Sequence, residues 1–231
     1  MSSFVRPKSV SKRILILCEG WTEYNYASAL KQSLNRDKQR GIEINIYSPT
    51  NENNIEHLFK RALKFINEAK KENNPYDIVW IFFDNDNQNI LKNLTNLLKK
   101  KKRNINEIKK CFTFDSNSNT YNKKDDLSII KFAYSCICIE HWFIIHLKDI
   151  RTPFKDAIEA KRKLENLWKK TFNEEYKKNG QNHFDKLKKK QANAIKIAQS
   201  IRKAAEKDEK PIHEINPYFT VDKLIEFFYK L

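Results

Sequence analysis

Arg13-Ile-Leu-Ile-Leu-Cys-Glu-Gly-Trp-Thr-Glu23 is the stretch from which the architecture can be read. Residues 13–18 form a short continuous apolar run with no polar alternation, which suits a central parallel strand covered on both faces. Glu19-Gly20 ends the run. Thr22 then offers a helix N-cap, with Tyr24, Ala27, Leu30 and Leu34 at helical spacing behind it. A buried strand, a turn bearing carboxylates and a helix together predict the opening unit of an α/β sheet.

The same punctuation continues outward. Ile42 to Tyr47 reads as a second strand, stopped by Ser48-Pro49. Residues 52–72 read as a long amphipathic helix, with Ile55, Leu58, Phe59, Ala62, Phe65, Ile66 and Ala69 on one face. Asp77-Ile-Val-Trp-Ile-Phe-Phe, ending at Asp84, is another buried strand. A helix follows over Ile90 to Lys101, then an apolar patch at Cys111 to Phe114. Phe132 to Cys138 is a further strand and Ile139 to Leu147 an aromatic-rich helix, while residues 48–54 and 115–126 are polar loops. This alternation assigns residues 1–150 to an α/β domain with a mostly parallel sheet flanked by helices. After Asp149 only helical periodicity remains, over 155–170, 183–207 and 220–230. Residues 151–231 therefore read as a helical C-terminal region packed on the sheet.

Hydrophobic residues make up 40% of the 231, enough for a real core, and only 3 Gly and 6 Pro exclude collagen-like or Gly-rich architectures. No apolar run reaches the ~20 residues of a membrane-spanning helix. Met1 to Arg13 has charge without an apolar stretch before a cleavage site, so no secretory signal is expected. The four cysteines, Cys18, Cys111, Cys136 and Cys138, form no CxxC pair, and reduced thiols in the cytoplasm are the natural expectation. Cys136, Cys138, His141 and His146 fit no closed tetrahedral zinc spacing. Lys and Arg number 45 against 29 Asp and Glu, a net charge of +16. Lys, Asn and Ile are abundant throughout, a bias that inflates lysine without any partner. Even so, Lys99, Lys100, Lys101, Lys102 and Arg103 concentrate the excess and point to a polyanion such as nucleic acid.

In parallel α/β sheets, ligands gather outside the carboxyl ends of the strands. Glu19 closes the first strand, with Glu23 one helical turn later. Asp84 and Asp86 close the third as Asp-x-Asp, and Glu140 follows the last strand. Singly, Glu19 also suits the positive end of its helix, and Asp84 and Asp86 suit a turn. Together they would repel one another unless a hard divalent cation with oxygen ligands, Mg²⁺ or alternatively Mn²⁺, neutralised them. Such an ion activates water and stabilises charge on a phosphodiester. Trp80, Trp142 and Phe143 lie in apolar runs and read as core, and His141 and His146 as packing histidines. Tyr176 and Lys177 are candidates for a contact with a substrate backbone.

Ile16-Leu-Cys-Glu-Gly-Trp-Thr-Glu23 resembles the opening Glu-Gly-x-Thr-Glu motif of the RloB-like branch of Toprim proteins, and Phe83-Asp-Asn-Asp86 resembles its Asp-x-Asp. Ser135-Cys-Ile-Cys-Ile-Glu-His-Trp142 with His146 is similar to its Ser-Asn-Pro-Cys-Phe-Glu-x-Trp…His block. Cys136-Ile137 stands where the family has Asn-Pro, and Ile139 where it has Phe. Asn216-Pro217 with Thr220, Val221 and Leu224 resembles its C-terminal block. The resemblance implies a Toprim-like core with Glu19 as general acid/base or metal ligand, Asp84 and Asp86 as Mg²⁺ ligands, and Glu23 and Glu140 in support. It also implies a nuclease effector in antiviral defence, associated with restriction–modification or abortive-infection loci and partnered by an ABC-type ATPase.

Two other readings stay open: a nucleic-acid-binding or regulatory subunit without chemistry, and an enzyme that matures structured RNA. All three expect phosphate contacts from the basic segment. Reversing several of Lys99–Arg103 to Glu is expected to weaken binding to unrelated sequences about equally, and log Kd should rise steeply with log salt. Filter binding over a salt series checks this. An affinity that is flat with salt assigns the lysines to compositional bias.

Overall fold

The first apolar run forms strand β1 (Lys12–Cys18), fully buried from Ile14 to Cys18. The computed structural model describes residues 12–50, 54–85, 128–207 and 215–231, with Asn93, Asn96 and Ile212. β1 is followed by α1 (Trp21–Gln32), the single turn α2 (Arg36–Gln39), β2 (Ile42–Tyr47), α3 (Ile55–Lys71) and β3 (Ile78–Asp84). After the undescribed stretch come β4 (Ile130–Cys136), α4 (Ile139–Leu147), α5 (Ala157–Phe172), α6 (His183–Leu187) and a 3₁₀ turn at Lys188–Lys190. The chain ends with α7 (Gln191–Lys207), β5 (Tyr218–Phe219) and α8 (Val221–Lys230). Most of the helix predicted at Ile90–Lys101 and the patch at Cys111–Phe114 lie outside the described residues. Asn93 and Asn96 are helical.

The five strands stand in the order β2-β1-β3-β4-β5. The first four are parallel and β5 runs antiparallel to β4. Strand β1 from Ile14 to Cys18 and β3 from Ile78 to Phe83 are continuously apolar because both of their faces are covered. From β1 the chain moves outward to β2 through α1, then back across β1 to β3 through α3. Right-handed crossovers in opposite directions put α1 and α3 on opposite faces. Asn54 caps α3, its side chain accepting from the His57 amide at 2.9 Å.

α4 is buried from Ile139 through His146. A helix buried on every side must be enclosed, and β4, α5 and α7 enclose it. Trp142 Nε1 and Gln191 Nε2 both donate to the Tyr26 hydroxyl, at 3.2 and 3.0 Å, which ties α4 and α7 to α1. The C-terminal region also finishes the sheet. The Thr220 amide donates to the Tyr134 carbonyl at 2.9 Å, its Oγ1 donates to the Phe132 carbonyl at 2.7 Å, and that Oγ1 accepts from the Tyr134 amide at 3.1 Å. Among the described residues no helix is long and apolar enough to cross a membrane.

Arg202 on α7 forms a bidentate pair with the fully buried Asp222 on α8, both contacts 2.6 Å, and also donates to the Phe219 carbonyl. Removing one partner strands a buried charge, whereas replacing both by apolar residues does not. Asp222→Ala is expected to cost about 3–5 kcal/mol, read as a lower urea midpoint at unchanged slope. The double change Arg202→Met with Asp222→Leu should recover most of that loss. Equal losses in single and double variants would show that the pair is not the source.

Candidate active site

β1 and β3 are neighbours in parallel register, with Leu17 opposite Ile81 and Cys18 opposite Phe82. Glu19 and Asp84 therefore leave the sheet at the same carboxyl edge. The Glu19 amide donates to the Phe82 carbonyl at 3.0 Å, and Glu19 Oε2 accepts from the Asp84 amide at 2.9 Å. This edge is also where the strand order reverses: β1 is followed by β2 on one side, and β3 by β4 on the other. That reversal opens the crevice in which α/β sheets bind ligands.

Glu23 joins them from the first turn of α1. Thr22, expected to cap this helix, does not: Gly20 holds the N-cap position in extended conformation. The Thr22 hydroxyl instead donates to the Lys178 carbonyl at 2.7 Å. A Cβ at Gly20 would lie 2.5 Å from Glu23 Oε2, so a larger residue there would make that carboxylate shift. The Glu23 carboxylate thus folds back over the amide end of its own helix, where negative charge is favoured. Glu140 enters from the first turn of α4, buried, and its Oε1 accepts from the Tyr176 hydroxyl at 3.2 Å. Tyr176 comes from the loop between α5 and α6, which Asn173 opens in the left-handed region (φ 57°). The loop is fastened to α1 by Thr22 and by Asn25 Nδ2, which donates to the Asn179 carbonyl at 2.9 Å. Gly180 keeps the turn tight, since a Cβ would meet His183 Nε2 at 2.8 Å.

Gathering these carboxylates out of water penalises their ionised forms. Burial pushes Glu23 up to about 7, helped by the charge of Glu140. Its own backbone amide, the Lys178 charge and a hydrogen bond with Asp84 pull the other way. Asp84 is raised well above the usual carboxylate range, first by burial and then by the charges of Glu23, Glu140 and Glu19, against the Ile139 amide. The histidines take no part in this cluster. His141 Nε2 lies 3.2 Å from the Ile150 carbonyl and His146 Nδ1 2.8 Å from the Trp142 carbonyl, and burial holds both down to about 4. They are packing residues, as are the fully buried Trp80, Trp142 and Phe143.

Of the predicted site residues, Glu19, Glu23, Asp84 and Glu140 therefore come to one sheet edge. Asp86 and the basic segment Lys99, Lys100, Lys101, Lys102 and Arg103 lie outside the described residues. Among the described residues no three His, Cys, Asp or Glu side chains are already gathered as a metal cage. The donor set nevertheless suits a hard cation. Asp84 Oδ1, Asn85 Oδ1 and Ser135 Oγ are buried oxygens without a hydrogen-bond partner among the described residues, and Ser135 stands opposite Asp84 in register. Oxygen ligands of this kind match Mg²⁺ or Mn²⁺ rather than zinc. Asn85 and Ser135 were not predicted; only the pairing of β3 with β4 reveals them. Elsewhere, an open groove of about 530 Å³ lined by Asp149, Arg151, Phe154 and Arg162 contains none of these carboxylates.

No curated protein and no solved structure matches the chain significantly. The profile of the RloB-like protein family, in contrast, matches residues 14–228, from the interior of β1 to the last turn of α8. A match over nearly the whole chain, taking in every carboxylate gathered at the sheet edge, makes this protein a member of the RloB-like protein family.

Proposed function

We propose that this chain is a divalent-metal-dependent nuclease with a Toprim-like core, hydrolysing phosphodiester bonds of DNA or RNA as an effector of antiviral defence. The observation that supports it best is the convergence of Glu19 and Asp84 at the switch point of the sheet, with Glu23 and Glu140 facing the same edge. Glu19 and Asp84 would hold Mg²⁺ or Mn²⁺ with Asp86, and Glu140 would support them. A bound ion supplies an activated water and neutralises charge on the phosphodiester. Glu140 is oriented for its part by the Tyr176 hydroxyl. Glu23, which exchanges its proton near neutral pH, is matched to proton transfer at the reacting oxygens. Family membership supports a partner ABC-type ATPase. Free, buried Cys18, Cys136 and Cys138 are consistent with the reducing cytoplasm. A second reading, a nucleic-acid-binding or regulatory subunit without chemistry, is favoured by the net charge of +16, which needs no catalysis.

Cleavage of labelled DNA and RNA with Mg²⁺ or Mn²⁺, with and without the partner ATPase, decides between them. Asp84→Asn and Glu19→Gln should each lower cleavage by at least the ~100-fold typical of losing one electrostatic catalytic group. Asp86→Asn should match them, and Glu23→Gln should cost less. Wild-type rates in all of these variants would sink the mechanism. An inactive wild type with its partner present would favour the binding subunit.

Glu23 also gives a pH test. It loses its proton near ~4.3 in the unfolded chain and near 7 in the fold. Its contribution to stability is therefore full below the lower value and lost as pH rises through the higher one. His141, His146 and His183, held down to about 4, act oppositely and stabilise the fold as pH rises toward ~6.5. The difference between wild type and Glu23→Gln isolates the carboxylate. The Tm of Glu23→Gln should gain on wild type between about pH 5 and pH 8, and Mg²⁺ at the higher pH should raise the wild-type Tm more than the variant's. A difference that stays constant with pH would contradict the burial of Glu23, and an unchanged wild-type Tm would contradict the metal.

A further inference from the structure

Trp21 is the first residue of α1, two positions from Glu19, and it is 51% exposed. The other described large hydrophobics that face solvent, Ile158 and Tyr229, lie singly on α5 and α8. Isolated exposure of that kind is ordinary. Trp21 differs by its position, beside the carboxylate cluster. Its indole meets Tyr24 in an edge-to-face contact, with centroids 5.5 Å apart and planes at 84°. This contact orients the ring and leaves half of the residue in water. Next to it runs the α5–α6 loop, whose Lys178 carbonyl is bonded to Thr22. Lys178 itself is exposed, and its charge acts on Glu23. A half-exposed indole and an exposed cation thus lie beside the carboxylate edge.

We propose that Trp21 and Lys178 form a one-nucleotide subsite, with the indole stacked on an unpaired base and the ammonium on the adjoining phosphate. The inference rests on the nuclease reading and narrows it: the site takes single-stranded or locally unpaired nucleic acid. A base inside a duplex has both faces occupied by its neighbours and offers none to an indole, whereas an unpaired base stacks whatever its identity. The loop that carries Lys178 also carries Tyr176, so the same segment orients Glu140 and presents the phosphate contact.

The four tryptophans make the test specific, because Trp80, Trp142 and Trp168 are buried to 1% exposure or less. Quenching of intrinsic fluorescence by a ligand at the surface therefore reports Trp21. Titrating the metal-free full chain with a short oligothymidylate should quench wild type and leave a blunt duplex of the same length nearly silent. Trp21→Ala should abolish the quench and weaken binding roughly 5- to 100-fold, the loss of one stacking contact, while Trp21→Phe retains part of the affinity. Lys178→Gln should keep the quench and lower the slope of log Kd against log salt by about 0.7, the value for one single-strand phosphate. Undiminished quenching in Trp21→Ala, equal quenching by the duplex, or no binding of the oligothymidylate would overturn the subsite. Cleavage without quenching rejects the subsite and leaves the nuclease reading in place. Quenching without metal-dependent cleavage confirms the subsite and rejects the chemistry.

Discussion

The hydrogen bond from the Asp84 amide to Glu19 Oε2 ties the end of β1 to the end of β3 with a carboxylate in place of a strand carbonyl. It continues the ladder one step past the register of Cys18 with Phe82, and it places a negative charge where the two strands end. Everything else at this edge answers the cost of that placement. The amide end of α1 receives Glu23, the Ile139 amide at the start of α4 faces Asp84, and Tyr176 donates to Glu140. Helix N-termini offset carboxylate charge locally and without a counter-ion. Burial and mutual repulsion still outweigh these donors, since Glu23 and Asp84 both hold their protons more tightly than free carboxylates do.

The same constraint explains why the C-terminal helices are part of the sheet domain's chemistry. α4 begins at the carboxylate cluster and is buried on every side, so it needs cover beyond the sheet. α5 and α7 provide that cover, and the loop from α5 to α6 reaches back to α1. Tyr176 is held by stacking on His183, 4.9 Å between centroids, and by Trp168 at 5.5 Å. The position of one hydroxyl at Glu140 therefore depends on an aromatic cluster built by α5 and α6. Thr220 and β5 close the far side of β4, the strand that leads into α4. The buried core accordingly runs without a break from Ile14 to Phe228.

Much of this was legible in the residues. Apolar runs found β1, β3 and β4, the stop at Ser48-Pro49 bounded β2, and helical spacing found α1, α3, α4, α5 and α8, because strands and amphipathic helices have distinct periods. Four of the five strand-end carboxylates come together as expected, since in a parallel sheet all carboxyl ends share an edge. The helix cap was misread because Thr22 has the better capping side chain. Gly20 takes the cap position while the Thr22 hydroxyl is used by the Lys178 carbonyl, a distant partner that local propensity does not register. β5 has two residues, too few for any period, and exists because Thr220 matches the edge of β4. The helix read over 183–207 is broken at Lys188–Lys190, where three consecutive lysines reach solvent as the chain turns from α6 into α7. The role of Tyr176 was likewise hidden, because its partner Glu140 lies 36 residues earlier in the chain.

The charges also divide by range. A net charge of +16 makes a field that acts on a polyanion at a distance, although salt screens exposed charges beyond about 8–10 Å. The carboxylates at the β1–β3 edge act only at short range, where they oppose any phosphate that comes near. Each buried carboxylate costs folding energy and opposes a phosphate nearby. On the proposed nuclease reading, a cation held between the cluster and the phosphate would offset both costs. Lys178, on the loop fastened to α1, is the one described cation whose charge moves Glu23. That one ammonium does not return Glu23 or Asp84 to the usual carboxylate range. Among the described residues Asp84 Oδ1, Asn85 Oδ1 and Ser135 Oγ have no hydrogen-bond partner, and on the proposed reading these oxygens would be open to a hard divalent ion.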